Sequence, residues 1–141
     1  MLIAIVGENC VGKSTLASEI AKVFPSKIYS GKDFLRLDKN PQNAEQKFKE
    51  LLVSSVNGEN VIYLITEREG LEFLPNGAKI IVLTAELTQI KERFKARMRG
   101  VLPLPVEKML ENKHGIFDNE PCHLKIQSGK YSLEEVINAI K

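Results

Sequence analysis

Short apolar runs alternate with amphipathic segments along almost the whole chain. A run of two to five mainly apolar residues between turn residues is typical of a buried strand, and apolar positions three and four residues apart are typical of a helix. The pattern predicts strands at 3–6, 28–29, 61–65, 79–83 and 123–127, of which 28–29 is the weakest. It predicts helices at 14–23, 43–53, 87–99 and 132–140.

Two helix ends carry additional signals. Pro25 ends the first helix, and "SLEE" from Ser132 is a capping box that opens the last one. The segment 100–121 contains Pro103 and Pro105 and is of mixed character, so we expect a loop that holds one short helix. Alternating strands and helices predict an α/β fold in which helices cover both faces of a five-stranded parallel sheet.

Composition restricts the architecture and the class of partner. With 141 residues, of which 43% are hydrophobic, we expect one domain over 1–141. The net charge of +2 creates no strong field, so we expect neither a nucleic-acid partner nor a membrane partner. No run reaches the roughly 18 apolar residues of a membrane span, and the two cysteines lack metal-ligand spacing. We expect a cytoplasmic protein, either a monomer or a homodimer.

The stretch "GENCVGKST" follows the first strand directly and precedes the first helix. It matches the phosphate-binding pattern GxxxxGK[ST], and the flanking strand and helix are the context that this motif requires. Lys13 is predicted to reach the β and γ phosphates of ATP, and the Ser14 hydroxyl to bind Mg²⁺. The predicted nucleotide-binding loop consists of Gly7, Glu8, Asn9, Cys10, Val11, Gly12, Lys13, Ser14 and Thr15.

This motif indicates a three-layer P-loop NTPase fold but does not decide the chemistry. No Asn-Lys-x-Asp is present to read guanine, which argues against a GTPase of the Ras type. Arg93 and Arg97 lie one helical turn apart, just before the proline-bearing segment. This arrangement favours a short lid-like segment at about 99–121. Its closure would bring in Arg93 and Arg97, which lie just before it, to neutralise charge on a transferred phosphoryl group. A solvated basic helix face is the alternative.

Further candidates follow the second and third predicted strands. Asp33 and Arg36 would lie at the carboxyl edge of the sheet, where open α/β proteins bind ligands. Asp33 would hold an acceptor hydroxyl or position magnesium through water, and Arg36 would hold an anionic group. A local cap and an ordinary surface arginine are the alternatives. Glu67 is either a carboxylate near the magnesium or a solvated residue at the end of a strand.

The segments "GENCVGKST", "SGKDFLR" and "RFKAR" resemble, in this order, those of the nucleoside monophosphate kinases, particularly adenylate and cytidylate kinases. The resemblance implies that Arg36 holds the acceptor's phosphate. It also implies that Arg93 lies against the adenine of ATP and that Arg97 contacts the phosphates. The stretch "EREGLEFLPNGAKIIVLTA" is similar to a cytidylate kinase segment, which implies that Arg68 and Glu69 contact the acceptor.

The end of the chain, "HLKIQSGKYSLEEVINAI", is similar to the last strand and helix of small P-loop kinases. The loop between those elements passes over the nucleotide's base, which implicates Gln127, Ser128, Gly129 and Lys130.

The sequence therefore predicts an ATP- and magnesium-dependent kinase. The expected acceptor is a small molecule, a nucleoside monophosphate or a nucleoside, and Lys13, Asp33, Arg93 and Arg97 are the predicted catalytic residues. An alcohol acceptor of the shikimate or gluconate type would make Asp33 the base. A nucleotide-binding regulatory protein or weak ATPase without kinase activity is the alternative from another class.

Overall fold

One sheet of five parallel strands forms the centre of the protein in the computed structural model, which describes residues Met1–Lys141. The strands are β1 (Leu2–Val6), β2 (Lys27–Ser30), β3 (Val61–Ile65), β4 (Lys79–Thr84) and β5 (Leu124–Gln127). Their order in the sheet is β2-β3-β1-β4-β5, and every neighbouring pair is parallel. The predicted fold class is confirmed.

Helices connect the strands. The five α-helices are α1 (Lys13–Val23), α2 (Pro41–Ser55), α3 (Leu87–Arg97), α4 (Leu104–Lys113) and α5 (Leu133–Ile140). Two 3₁₀ helices, Asp33–Leu37 and Arg68–Phe73, follow β2 and β3 at the carboxyl edge of the sheet. None of the helices combines the length and the apolar character needed to cross a bilayer.

Capping explains where two helices differ from their predicted bounds. α2 begins at Pro41, two residues before the predicted start, because the Asn40 side chain accepts hydrogen bonds from the backbone N–H groups of Gln42 and Asn43. α3 ends two residues before the predicted end at 99, because Arg99 has a φ of 60° and cannot continue the helix.

The segment 100–121 is more regular than its prolines suggest. The expected short helix is the ten-residue α4, which Pro103 and Pro105 open instead of breaking. Leu110 of α4 is buried in one hydrophobic core, and Phe117 is buried in another. The predicted lid region therefore has two buried anchors.

The two cores lie on opposite faces of the sheet. Along β1, Ile3 and Ile5 belong to the core under α1 and α5, whereas Leu2, Ala4 and Val6 belong to the core around α2. All five side chains are buried because both faces of the sheet are covered. β1 and β3 are both interior strands of the sheet, which explains why their residues are apolar on both faces.

The final helix follows the predicted capping pattern. Ser132 Oγ accepts a hydrogen bond from the Glu135 backbone N–H at 3.2 Å. Val136, Ile137 and Ile140 then lie on the buried side of α5 and pack into the core shared with α1. This packing fixes the position of α5 and therefore of the end of the loop that joins β5 to α5.

Candidate functional site

The phosphate loop between β1 and α1 adopts the tight backbone that its glycines allow. Gly12 has a φ of 101° and precedes the first turn of α1. At Gly7, a Cβ atom would lie 2.6 Å from the Leu83 carbonyl oxygen and 2.7 Å from a methyl group of Val11. Only glycine permits this close approach of the loop to β4, which fixes where the loop leaves the sheet.

The Lys13 side chain folds back onto its own loop. Its Nζ atom donates hydrogen bonds of 2.7 Å to the carbonyl oxygens of Gly7 and of Glu8. These acceptors hold the ammonium group at the centre of the curved loop, where N–H groups and the start of α1 also favour an anion.

The environment of Lys13 lowers its affinity for a proton. Burial lowers the pKa of the ammonium group to about 8 from an ordinary 10.5. Among the neighbours of Lys13, Arg97 adds to that shift, and Cys10, Glu8 and Glu67 oppose it. Lys13 is therefore within electrostatic range of both Arg97 and Glu67, which come from different elements.

A cavity of about 190 Å³, here called the loop cavity, lies over the phosphate loop. Residues from the loop, from the ends of β2 and β3 and from α3 line it. They are Asn9, Cys10, Gly12, Lys13, Ser14, Thr15, Ser30, Leu64, Thr66 and Arg97. Six of the nine residues of the predicted nucleotide-binding loop thus line one cavity, whereas Gly7, Glu8 and Val11 do not.

The residues of the loop cavity fit a magnesium ion that arrives with a nucleotide. Ser14 and Thr66 supply hydroxyl oxygens, the hard donors that Mg²⁺ prefers. No group of three or more His, Cys, Asp or Glu side chains gathers as a metal site. Ser14 remains the predicted protein ligand of the ion.

A second cavity, the α3 cavity, has a volume of about 480 Å³. It lies between α1, α3 and the loop before α5. Its walls are Cys10, Val11, Gly12, Thr15, Glu19, Arg93, Arg97, Ser128, Gly129, Tyr131 and Leu133. Two of the four residues predicted from the chain's end, Ser128 and Gly129, belong to this wall.

The arginines of α3 are oriented toward the phosphate loop and not only toward solvent. Arg93 Nη1 donates a 2.9 Å hydrogen bond to the Cys10 carbonyl oxygen, although the residues are 83 positions apart. Arg97 lines both the α3 cavity and the loop cavity. The helix therefore brings both arginine side chains to cavities that border the phosphate loop.

A third cavity, the β3 cavity, has a volume of about 470 Å³ and lies at the carboxyl end of β3. Its walls are Gly31, Lys32, Phe34, Tyr63, Leu64, Ile65, Thr66, Glu67, Glu69, Gly70 and Phe73. Phe34 and Phe73 pack with a centroid distance of 5.2 Å, and Tyr63 lies edge-on to Phe73. Burial raises the pKa of Tyr63 to about 12, so this side of the cavity is an apolar, aromatic surface.

The predicted acceptor residues occupy different places. Glu69 lines the β3 cavity. Asp33 Oδ2 accepts a 2.9 Å hydrogen bond from the Ser30 backbone N–H and so closes the turn after β2. Arg36 is exposed, and neither it nor Asp33 lines any of the three cavities.

Arg68 contacts the segment that follows α4. Its Nη1 atom donates a 2.8 Å hydrogen bond to the Ile116 carbonyl oxygen, and its Nη2 atom lies 3.3 Å from Glu120 Oε2. Arg68 lines a shallower surface cavity, together with Glu120, and not the β3 cavity.

Sequence reasoning missed the role of Glu8. Its side chain is only 8% exposed, and its carboxylate accepts a 3.1 Å hydrogen bond from the Gly115 backbone N–H and lies 3.0 Å from His114 Nδ1. A neighbouring ion pair joins Lys113 Nζ to Glu67 Oε1 at 2.7 Å. Glu8 occupies a variable position of the motif, so the sequence contained no local signal for these contacts.

No model of a known protein family matches the chain, and no curated protein matches its sequence. The structure is similar to a shikimate kinase from Aquifex aeolicus vf5, with a TM-score of 0.65, 21% identity and coverage of 99% of this chain and 96% of that one. It is also similar to a gluconokinase from Sinorhizobium meliloti 1021, with a TM-score of 0.63, 16% identity and coverage of 99% and 88%.

A deoxyadenosine kinase from M. mycoides with bound dATP has a TM-score of 0.54, 17% identity and coverage of 99% of this chain and 97% of that one. At these identities the likeness establishes the fold. The chain therefore shares its fold with these three proteins, in agreement with the three-layer α/β fold that the sequence predicted.

Proposed function

We propose that the protein is an ATP-dependent phosphotransferase that moves the γ-phosphoryl group of Mg·ATP to a nucleoside or a nucleoside monophosphate. The observation that carries this proposal is the position of the loop cavity. It shares Cys10, Gly12, Thr15 and Arg97 with the α3 cavity on one side. It shares Leu64 and Thr66 with the β3 cavity on the other side.

This arrangement has the parts of a two-substrate site. ATP would place its base in the α3 cavity beside Arg93 and its phosphates in the loop cavity, near Lys13 and Arg97. The acceptor would enter the β3 cavity. The acceptor oxygen then forms a bond to the γ-phosphorus while the bond to the β–γ bridging oxygen breaks, and ADP leaves. Positioning and charge neutralisation would supply most of the catalysis.

The aromatic wall of the β3 cavity supports a ring-bearing acceptor. Phe34 and Phe73 line the cavity and are partly exposed, so they offer apolar ring surface against which a nucleobase packs well. Tyr63 is 2% exposed and supports Phe73 from below through an edge-on contact. The similar proteins named above include a deoxyadenosine kinase, as well as kinases named for shikimate and gluconate. The polyol and carboxylate acceptors are therefore included in the test.

The test is a coupled ADP-release assay with purified protein, Mg·ATP and a panel of nucleosides, nucleoside monophosphates, shikimate and gluconate. Lys13→Ala should reduce kcat/KM about 10²- to 10³-fold, because it removes a charged donor from the transferring group. Lys22→Ala, on the exposed last turn of α1, is the matched control and should retain the activity. Binding of ATP without transfer to any acceptor would instead support a nucleotide-binding protein without kinase activity.

A further inference from the structure

The side chain of Arg93 donates its hydrogen bond to the phosphate loop. The acceptor is the Cys10 carbonyl oxygen, 2.9 Å from Arg93 Nη1. Cys10 is buried, and its φ of 62° lies in the left-handed region, which costs energy in a residue that has a side chain. No backbone N–H group donates to this carbonyl oxygen, so Arg93 is its hydrogen-bond partner. Without Arg93, a strained and buried part of the loop would lose that partner.

The phosphate loop leaves its backbone N–H groups available to an anion. None of the N–H groups of residues 8–15 donates to a carbonyl oxygen of the protein. Two carbonyl groups of the loop accept hydrogen bonds from the Lys13 ammonium group, and a third accepts from Arg93. The loop therefore turns these carbonyl groups toward cations, and its N–H groups stay free to donate to phosphate oxygens.

Arg93 also fixes the direction of one of these N–H groups. A trans peptide unit is planar, so its C=O and N–H groups point in opposite directions. The carbonyl group of Cys10 belongs to the same peptide unit as the N–H group of Val11. Because Arg93 holds the carbonyl group, it also holds this N–H group, which points away from the guanidinium group.

The turn of α3 that carries Arg93 is anchored in the hydrophobic core. Ile90 is fully buried, and Phe94 packs against the same core. Arg97 lies one turn further along, at the exposed end of the helix. Arg93 therefore reaches the loop from a fixed part of the fold, which is what a supporting contact requires.

We propose that Arg93 is a positioning residue, which holds the phosphate loop in its triphosphate-binding conformation through the hydrogen bond to the Cys10 carbonyl oxygen. This role rests on the proposed function, since ATP is the triphosphate that the loop would bind. It differs from the contact with adenine that the family resemblance implied for Arg93. A contact with the base affects only ligands that contain a base, whereas support of the loop affects every ligand that binds through its phosphates.

The first experiment measures, by calorimetric titration, the binding of Mg·ATP and of Mg²⁺ with inorganic triphosphate, which has the phosphates without the base. Arg93→Met keeps a long side chain that suits a helix, but it removes the donor. We expect its Kd to rise about tenfold or more, by the same factor for both ligands, because the loop is less often in its binding conformation. A rise for ATP alone would overturn the inference and assign Arg93 to the base.

Two further variants separate the hydrogen bond from the charge. Lys95→Met removes a positive charge from an exposed position of α3 outside both cavities, so it should bind both ligands as the wild type does. Arg93→Lys keeps a charged donor near the Cys10 carbonyl oxygen and should recover part of the affinity that Arg93→Met loses. Equal losses in Lys95→Met and Arg93→Met, or no loss in Arg93→Met, would overturn the inference.

Direct contact of Arg93 with the phosphates would also weaken both ligands, so a second experiment uses the protein without nucleotide. Nitrogen-15 relaxation gives the order parameters of the N–H groups of Cys10, Val11 and Gly12. In Arg93→Met we expect them to fall from about 0.85, typical of rigid backbone, toward about 0.6, and in Lys95→Met to stay unchanged. Unchanged values in Arg93→Met would overturn the inference, because the loop would then be held without Arg93.

The wild-type titrations separate this inference from the proposed function. Wild-type protein that binds neither ATP nor triphosphate would count against the proposed function itself. Wild-type protein that binds ATP but not triphosphate would overturn only the inference, because the loop would then contribute too little to binding for its support to matter. Circular dichroism of each variant separates these results from misfolding.

Discussion

At the scale of single residues, the proposed chemistry depends on charged groups in a partly buried loop. Lys13 lies among backbone carbonyl groups of its own loop, near Arg97. Its lowered pKa means that the native protein holds this positive charge at a cost. A bound triphosphate would offset that cost, which is one physical reason for the loop to prefer anions.

The pKa of Lys13 predicts how stability depends on pH. The native pKa is about 8 and the ordinary value is 10.5, so between these values the unfolded chain holds a proton that the native protein has released. The free energy of unfolding should therefore rise with pH in this window by about 1 to 3 kcal/mol. Lys13→Met should lack this rise, so the difference between the two proteins should change between pH 7.5 and 10.

Urea unfolding at several pH values measures this difference. The other lysines and the tyrosines titrate in both proteins, so the comparison cancels their contributions. A constant difference across the window would contradict the lowered pKa of Lys13.

At the scale of elements, the segment 113–120 joins the two halves of the candidate site. Glu8 of the phosphate loop accepts from Gly115, and Lys113 pairs with Glu67 after β3. Phe117 of the same segment is 2% exposed in the core around α2. These contacts hold the segment 113–120 in place. Closure of the predicted lid would therefore involve mainly the residues before α4.

We expect Glu8 to contribute to holding the segment 113–120 in place. Glu8→Ala leaves the Gly115 N–H group and the His114 ring without their shared partner, which should cost about 1 to 3 kcal/mol. Amide hydrogen exchange at 114–118 should become faster in that variant. Glu8→Gln keeps one carbonyl acceptor and should have a smaller effect.

Glu120→Ala is the comparison variant for Glu8→Ala. It removes the ion pair with Arg68, whose side chain is 57% exposed, so it should cost less than about 1 kcal/mol. Equal hydrogen exchange at 114–118 in Glu8→Ala and in the wild-type protein would mean that the other contacts of the segment, such as buried Phe117 and the bond from Arg68 to Ile116, hold it without Glu8.

The elements also indicate what the sequence could and could not predict. Alternating apolar runs predicted the five parallel strands, because the central strands β1 and β3 are buried at every position and are therefore apolar throughout. The edge strand β2 is mostly exposed, which is why its signal was the weakest. The sequence signal for the phosphate loop was equally local, because its residues are contiguous. The contact of Glu8 with Gly115 joins residues 107 positions apart, and neither residue's neighbours encode it. The pairing of Arg68 with Glu120 likewise arises only when the fold brings them together.

At the scale of the whole molecule, the sheet brings the separate parts into one site. β1 and β3 are adjacent, so the phosphate loop and the Thr66–Glu67 pair emerge side by side at one edge. The order β2-β3-β1-β4-β5 then places the β2 and β3 ends on the acceptor side and the β5 loop on the donor side. The net charge of +2 is small, and Lys13 and Arg97 are the basic residues that line the loop cavity.

Because this site exists only in the folded chain, nucleotide should stabilise the whole molecule. Mg·ATP at 100 times its Kd should add about 2.7 kcal/mol to the free energy of unfolding and raise Tm by about 5 to 10 °C. Arg97→Ala should reduce this rise, since Arg97 lines both the α3 cavity and the loop cavity. Lys95→Ala removes an exposed charge from the same helix but from outside both cavities, so its rise should match that of the wild type. If both variants showed the same reduction in the rise of Tm, nucleotide binding would depend on the overall charge of α3 and not on the position of Arg97.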